Sequence, residues 1–340
     1  MKLLTSAAVS LLLISLAGVS YSQISQTERE ALIALFNATG GYNWNISNGW
    51  NGAAGTECDW YGVGCSYGSV SRIVLDDNSL SGSIPAELGN LTNLTSLYLN
   101  VNSLTGSIPS ELGNLTNLVF FSLNNNSLSG SIPTELGNLT KVTVLYLSNN
   151  SLTGSIPAEL GNLTNVTDLS LNFNSLTGNV PSELSNLTNL TSLDISINSL
   201  NGSIPAELGN LTNLTGLSLA YNSLTGSIPA ELGNLTNLTS LSLNNNSLTG
   251  SIPAELGNLT NLTYLFLDNN SLTGSIPAEL GNLTNLNGFS LGDNFLTGPL
   301  PQWLSDMAIP YLNVTDAFNE WPSPYNGVTP DSSFNLEFNN

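Results

Sequence analysis

The chain has 340 residues, with 24 acidic side chains against four basic ones and no histidine, a formal net charge of −20. That balance excludes nucleic acid, because no basic stripe exists to displace phosphate counterions, and it argues equally against an anionic membrane surface. Without histidine there is no Ser-His-Asp or Cys-His constellation and no histidine metal site, and no phosphate-loop or dinucleotide glycine motif occurs.

Residues 1–22 read as a secretory signal. Met1 and Lys2 precede an apolar run from Leu3 to Val19, and Ser20-Tyr21-Ser22 places small residues at the −3 and −1 positions of a cut after Ser22. A secreted, extracellular chain is the expectation. No later run reaches the roughly 18 apolar residues of a membrane span. Residues 23–69 read as an N-terminal cap. Thr27-Glu28-Arg29-Glu30 has the capping-box pattern, and it predicts a helix through Ala31-Leu32-Ile33-Ala34-Leu35-Phe36 that Gly40-Gly41 stops. Trp44, Trp50 and Trp60 then fall in a Gly/Asn-rich loop, as a lid over the first layer of core or, alternatively, as a platform for a sugar ring. Cys58 and Cys65 are the two cysteines. In an exported chain an isolated close pair is expected to form a disulfide, and a metal site would need more ligands.

From 70 to 297 one pattern recurs. Leu94-Thr95-Ser96-Leu97-Tyr98-Leu99-Asn100-Val101-Asn102 reads L-x-x-L-x-L-x-x-N, and its closing asparagine returns every 24 residues, at Asn78, Asn102, Asn126, Asn150, Asn174, Asn198, Asn222, Asn246, Asn270 and Asn294. An unbroken period of this kind is the signature of a leucine-rich-repeat solenoid. The expected fold class is α/β, a solenoid of ten 24-residue repeats with parallel strands on its concave face and a cap at each end. Strand alternation turns the leucines inward and the residues between them outward. The Asn102 column should turn inward too, its amides pairing with backbone groups that would otherwise be buried without partners. Leu104 and Ile108 are core positions, and Thr105 and Ser107 point out on a flank. Pro109-Ser110-Glu111-Leu112 begins a short helical turn on the convex side, with proline at the first helical position. Residues 298–340 read as the C-terminal cap, with Trp303, Leu304, Ile309, Leu312 and Val314 as a degenerate closing rung and Phe334, Leu336 and Phe338 as a last strand.

The cap pattern C-x-W-x-G-V-x-C, followed by L-x-x-L-x-L-x-x-N-x-L-x-G-x-I-P-x-x-L-G-N-L, resembles the plant-type leucine-rich-repeat proteins over roughly residues 28 to 300. These include receptor-kinase ectodomains and the polygalacturonase-inhibitor group. The resemblance implies a recognition module, an enzyme inhibitor or, as in one plant case, an antifreeze protein. It implies no enzyme and no cofactor. Unlike the inhibitors, the C-terminal cap has no cysteine pairs.

Two acidic features invite other readings. Asp168 and Asp194 fall on successive strands, offset by two positions. Diagonal strand neighbours lie roughly 7–8 Å apart, within the ~6.5–9.5 Å of an inverting glycosidase, but an open face offers little to separate their pKa values. Glu87, Glu111, Glu135, Glu159, Glu183, Glu207, Glu231, Glu255 and Glu279 form a column that would attract a cation, or that simply complements the N-terminus of each turn. Asn-x-Ser/Thr sequons recur, as at Asn90, Asn114 and Asn138, and would carry glycans in a eukaryotic host.

Two outward surfaces compete for the function. Variation concentrates on the concave strand positions Tyr98, Val101, Phe120, Val144, Tyr146, Asp168, Phe173, Asp194, Ile197, Tyr221, Tyr264 and Phe266. Exposed aromatics beside a few acids suit an interface with an extracellular protein or glycan. The alternative is the flank, where Thr105-x-Ser107 recurs as Thr153-x-Ser155, Thr225-x-Ser227, Thr249-x-Ser251 and Thr273-x-Ser275. A regular, uncharged lattice of hydroxyls suits a periodic ligand such as ice.

Overall fold

A computed structural model describes residues 23–314. The signal segment and the Phe334–Phe338 strand lie outside the described residues. A 12-stranded sheet runs the length of the solenoid. Its first pairing, Val63–Ser66 on Ser69–Val74, is antiparallel, and every later one is parallel. The three-residue strands stack in a register of 24 residues, so Ser96, Phe120, Val144, Asp168 and Ser192 stand side by side.

Each rung closes around its own apolar set. Leu94, Leu97, Leu99, Leu104, Leu112 and Leu115 are fully buried and Ile108 nearly so; each such side chain stabilises the fold by about 1.5–3 kcal/mol relative to exposure. No rung buries this set alone, so stacking supplies the core. The convex side is made of 3-10 turns, such as Ser110–Asn114, rather than α-helix. Pro109 precedes its turn in extended backbone, one residue earlier than the expected first helical position, and Glu111 is the second residue of the turn. The glycine in L-G-N has a steric origin. A Cβ on Gly113 would lie 2.4 Å from the carbonyl oxygen of Glu135 in the next rung. Ser185 stands in this glycine column, and its turn, Ser182–Asn186, packs less closely on Ala206–Asn210 than other neighbouring turns do on each other.

The N-terminal helix runs Gln26–Ala38, and its capping box uses Ser25 and Glu28 rather than Thr27 and Glu30. The earlier start has a reason in packing. Buried Glu28 accepts from Ser25 N through Oε2 (3.0 Å) and from Val70 N through Oε1 (3.0 Å), tying the helix to the first solenoid strand. Trp44, Trp50 and Trp60 form the lid. Their ring centroids lie 4.9 and 5.2 Å apart in sequence, and their indole N–H groups donate to Thr39 O, Tyr61 O and Thr56 Oγ1. All three are buried, so none offers an open face to a sugar. Cys58 and Cys65 form a disulfide. At the other end, the helix Gln302–Asp306 and the strand Tyr311–Asn313 close the last described rung, with Leu304 and Ile309 buried.

The asparagine column does what the buried-polar rule requires. Asn198 donates through Nδ2 to the carbonyls of Leu171 (3.1 Å), Ile195 (3.2 Å) and Ser196 (3.1 Å), and its Oδ1 accepts from Leu176 N (2.9 Å). Asn102, Asn150, Asn222 and Asn270 repeat the arrangement. A second ladder runs along the turns, where Asn189 Nδ2 donates to Thr164 O at 2.8 Å in an exposed setting. The two ladders should differ in weight. We expect Asn198→Ala, which strands several buried groups at about 1–3 kcal/mol each, to lower stability by at least about 3 kcal/mol, and Asn189→Ala to lower it by under about 1 kcal/mol, read from urea unfolding midpoints.

Candidate functional site

The outward strand positions form two columns on the concave sheet. One passes through Phe120, Val144, Asp168 and Tyr264, the other through Tyr98, Tyr146, Asp194 and Phe266. Aromatic side chains gather at two places. The rings of Tyr98 and Phe120 stack at 6.3 Å, and Tyr264, Phe266 and Tyr311 form a second group at 6.0 and 5.9 Å. Asp168 pairs with Ser192, and Asp194 with Ser170, so the two carboxylates are diagonal neighbours as the spacing implied. Both are engaged: Asp168 Oδ2 accepts from Thr167 Oγ1 (2.7 Å), and Asp194 Oδ1 accepts from Ser196 N (3.0 Å) and Oγ (2.6 Å). They stand on an open sheet face, with Tyr146 on the strand beside Asp168.

Val101, Phe173, Ile197 and Tyr221 depart from the expectation of strand alternation. They sit three residues past the ends of their strands, in the left-handed region, with φ of 55°, 53°, 52° and 53°. Asn125, Asn149, Asn245 and Asn269 hold the equivalent place in other rungs, as befits a conformation that Asn tolerates and bulky or β-branched residues avoid. The backbone strain is of order 1–3 kcal/mol at each such residue. Packing does not offset it, because Val101, Phe173 and Tyr221 are 45%, 47% and 54% exposed. In the sequence their signal is that a column otherwise rich in Asn turns apolar.

The flank differs from the extended ladder expected of it. Thr105, Ser107, Thr153, Ser155, Thr225, Ser227, Thr249, Ser251, Thr273 and Ser275 are all exposed. Between each pair, however, stands a glycine at positive φ, such as Gly106 (75°) or Gly226 (76°). Its missing Cβ matters, since one on Gly106 would lie 3.3 Å from Cβ of Ser83 in the rung before. The flank strands also pair in a register of 22 residues, so the Ser of one rung faces the Thr position of the next: Ser203 faces Thr225, Ser227 faces Thr249, and Ser251 faces Thr273. Two departures from the hydroxyl pattern, Asn179 and Asn201, face each other through this register. They divide the lattice into two stretches.

Beside the flank runs a shallow open groove lined by the S-I-P-A-E segments, such as Ser227, Pro229, Ala230 and Glu231. Glu207, Glu231 and Glu255 of the glutamate column also line it, exposed to solvent. Among the described residues no group of three or more His, Cys, Asp or Glu is placed to hold a metal ion, and no helix is long and apolar enough to cross a membrane.

Stacked parallel strands, convex turns and an internal asparagine ladder define a leucine-rich-repeat scaffold, and comparison with known proteins gives the same answer. The family models for a leucine-rich repeat region, for paired leucine-rich repeats and for a single leucine-rich repeat match residues 73–207, 212–254 and 261–283. The chain belongs to the leucine-rich-repeat proteins and is of the plant type. Among solved structures it is similar to the ectodomain of the plant membrane receptor kinase GASSHO1/SCHENGEN3 from Arabidopsis thaliana, in complex with CASPARIAN STRIP INTEGRITY FACTOR 2. The TM-score is 0.79 and the identity 41%, over 83% of this chain and 34% of that one. The ectodomain of the Arabidopsis receptor kinase HAESA, bound to a peptide hormone ligand, matches at TM-score 0.67 and 34% identity, over 83% of this chain and 52% of that one. A plant ice-binding protein matches at TM-score 0.70 and 29% identity, over 88% of this chain and 97% of that one. The chain spans only 4–14% of the length of the curated Arabidopsis receptor kinases that it matches.

Tyr146 reports on the concave surface. Burial, then the Asp168 carboxylate and then Tyr98 raise its pKa above the ordinary phenol value of 10.0. A raised folded-state value means that stability from this group is present below pH 10.0 and is lost as pH climbs through the folded value. We expect the difference between ultraviolet titrations of the unsubstituted chain and its Tyr146→Phe variant to show a late-ionising phenol, and Asp168→Asn to move it back toward the ordinary range.

Proposed function

We propose that the protein is an extracellular, non-enzymatic recognition module that binds a protein or polysaccharide through its concave face. The observation that carries this reading is the contrast between the inward and outward positions. The core repeats almost unchanged, while the concave face gathers aromatic clusters and exposed apolar residues on strained backbone. Aromatic side chains on an open face are the usual anchors of an interface. The receptor ectodomains to which the chain is similar are described in complex with CASPARIAN STRIP INTEGRITY FACTOR 2 and with a peptide hormone, which supports the same use of the fold here. The test presents the chain to arrays of extracellular proteins and glycans. A specific ligand should bind, and Tyr98→Ala with Phe120→Ala and Tyr146→Ala should weaken it at least about tenfold, the scale of a lost anchor. Undiminished binding would place the site elsewhere.

A second reading has its own observation. The flank presents exposed hydroxyls rung after rung with no charged side chain among them, and the plant ice-binding protein is similar over nearly its whole length. On this reading Thr153→Lys and Thr225→Lys abolish inhibition of ice recrystallisation and leave the concave ligand unaffected. An unsubstituted chain that has no effect on ice growth at micromolar concentration ends the idea.

A further inference from the structure

The rungs are near copies of one another, but one interface between them departs from the rest. It lies between the rung of strand Asp168–Ser170 and the rung of strand Ser192–Asp194. Each of its faces, and its core, breaks the common pattern at this one place. On the convex side Ser185 holds the position of the turn glycine. A Cβ on Gly161 or Gly209 would lie 2.4 Å from the carbonyl oxygen of Glu183 or Glu231 in the rung ahead, closer than packed atoms stand. Ser185 has that Cβ. Its turn, Ser182–Asn186, packs on Ala158–Asn162 behind it in the ordinary way and less closely on Ala206–Asn210 ahead of it.

On the flank, a Cβ on Gly202 would lie 2.4 Å from Oδ1 of Asn179, whereas at Gly226 and Gly250 the nearest atom is the Cβ of Ser203 or Ser227, at 3.4 and 3.5 Å. The longer Asn179 side chain thus crowds the backbone of the next rung. In the core, Val180 stands where Ile156 and Ile204 stand on either side, one methylene short in an interior that is otherwise close-packed. On the concave face, Asp168 and Asp194 meet across the interface as diagonal neighbours. Like charges so placed repel, and no lysine or arginine follows Lys141 in the chain to stand between them.

What holds this interface lies toward one side. The two concave strands pair in the common parallel register, and Asn198 donates to Leu171 O at 3.1 Å, as Asn174 does to Leu147 O. In a solenoid each rung touches only its neighbours, so stability is close to a sum of interface terms, and the weakest decides where the array yields. We infer that the solenoid has a hinge between these two rungs. The convex turns and the flank part there, while the concave sheet stays paired and acts as the pivot. Rungs that spread on the convex side curve the concave face more sharply. One arm carries Tyr98 with Phe120 and the other Tyr264 with Phe266, so opening draws the two aromatic groups together. The hinge follows from packing alone and holds whichever outward face binds a ligand.

Native-state hydrogen exchange of the full chain tests it. Three amides in identical Asn-Ser-Leu settings donate across consecutive interfaces on the flank side: Ser175 N to Leu152 O, Ser199 N to Leu176 O and Ser223 N to Leu200 O, at 2.8, 2.8 and 2.7 Å. Of these, Ser199 crosses the hinge. It should exchange at least about tenfold faster than the other two, as a local opening requires. On the pivot side, Leu171 N, which donates to Asp194 O, should stay as protected as Leu219 N, which donates to Ser242 O. Ser185→Gly should bring Ser199 within about threefold of its two counterparts, and Ser185→Ala, which keeps the Cβ, should leave it fast. Asn179→Ser with Asn201→Thr restores the flank pattern and should slow it as well. Equal rates at the three serines overturn the proposal, as does a smooth gradient from the ends of the solenoid to its middle. Fast exchange at Ser199 that Ser185→Gly leaves unchanged overturns it too. Equal loss of protection at Leu171 would mean that the whole interface unfolds, and would end the hinge.

Discussion

An amide in each rung, held by backbone groups of two rungs, is the constraint on which the solenoid depends. Leucine burial supplies the larger free energy, but burial is non-directional and would tolerate slippage between rungs. The side chain of Asn198 binds carbonyls of its own rung and of the one before, and accepts an N–H from that earlier rung. Only a 24-residue step satisfies all of these at once. The strict period of the sequence is the trace of that requirement. Because these bonds fix the register, the outward positions are released from any part in holding the fold and are free to vary.

What could be read in advance follows from that division. Leucine spacing gives the strands, the concave face and the inward asparagine, because each answers to a repeating local demand. The convex turns were harder. Pro-Ser-Glu-Leu suits an α-helical first turn, but the tight return to the next strand permits only a 3-10 turn, with proline left outside it. The capping box was displaced because Glu28 serves Val70 as well as Ser25, a long-range tie that local pattern does not show. The apolar residues Phe173, Ile197 and Tyr221 at positive φ were legible as a change of composition in one column. Their conformation was not, since the strands end three residues earlier, at Ser170, Asp194 and Ser218, and nothing in the leucine spacing marks that end.

The flank and the concave face carry opposite kinds of information. Along the flank the 22-residue register brings Ser and Thr positions of successive rungs together, and regularity is its whole content. It is interrupted where Asn179 faces Asn201. In the same region Ser185 replaces the turn glycine, and the concave edge turns from Asn to Phe173 and Ile197. Three faces thus leave the common pattern in neighbouring rungs. A surface selected only for regularity has no use for such a place, whereas a surface that recognises one partner does.

The asparagine ladder also has a direction. Each amide reaches back, from Asn102 to Leu75 and Leu80 and from Asn198 to Leu171 and Leu176. The first, Asn78, reaches into the cap, where Ile46 offers both its carbonyl and its N–H. A rung can therefore complete its bonds only on one already in place. The cap serves as the seed of a one-way zipper, and a chain that leaves the ribosome N-terminus first meets its templates in the order in which it needs them.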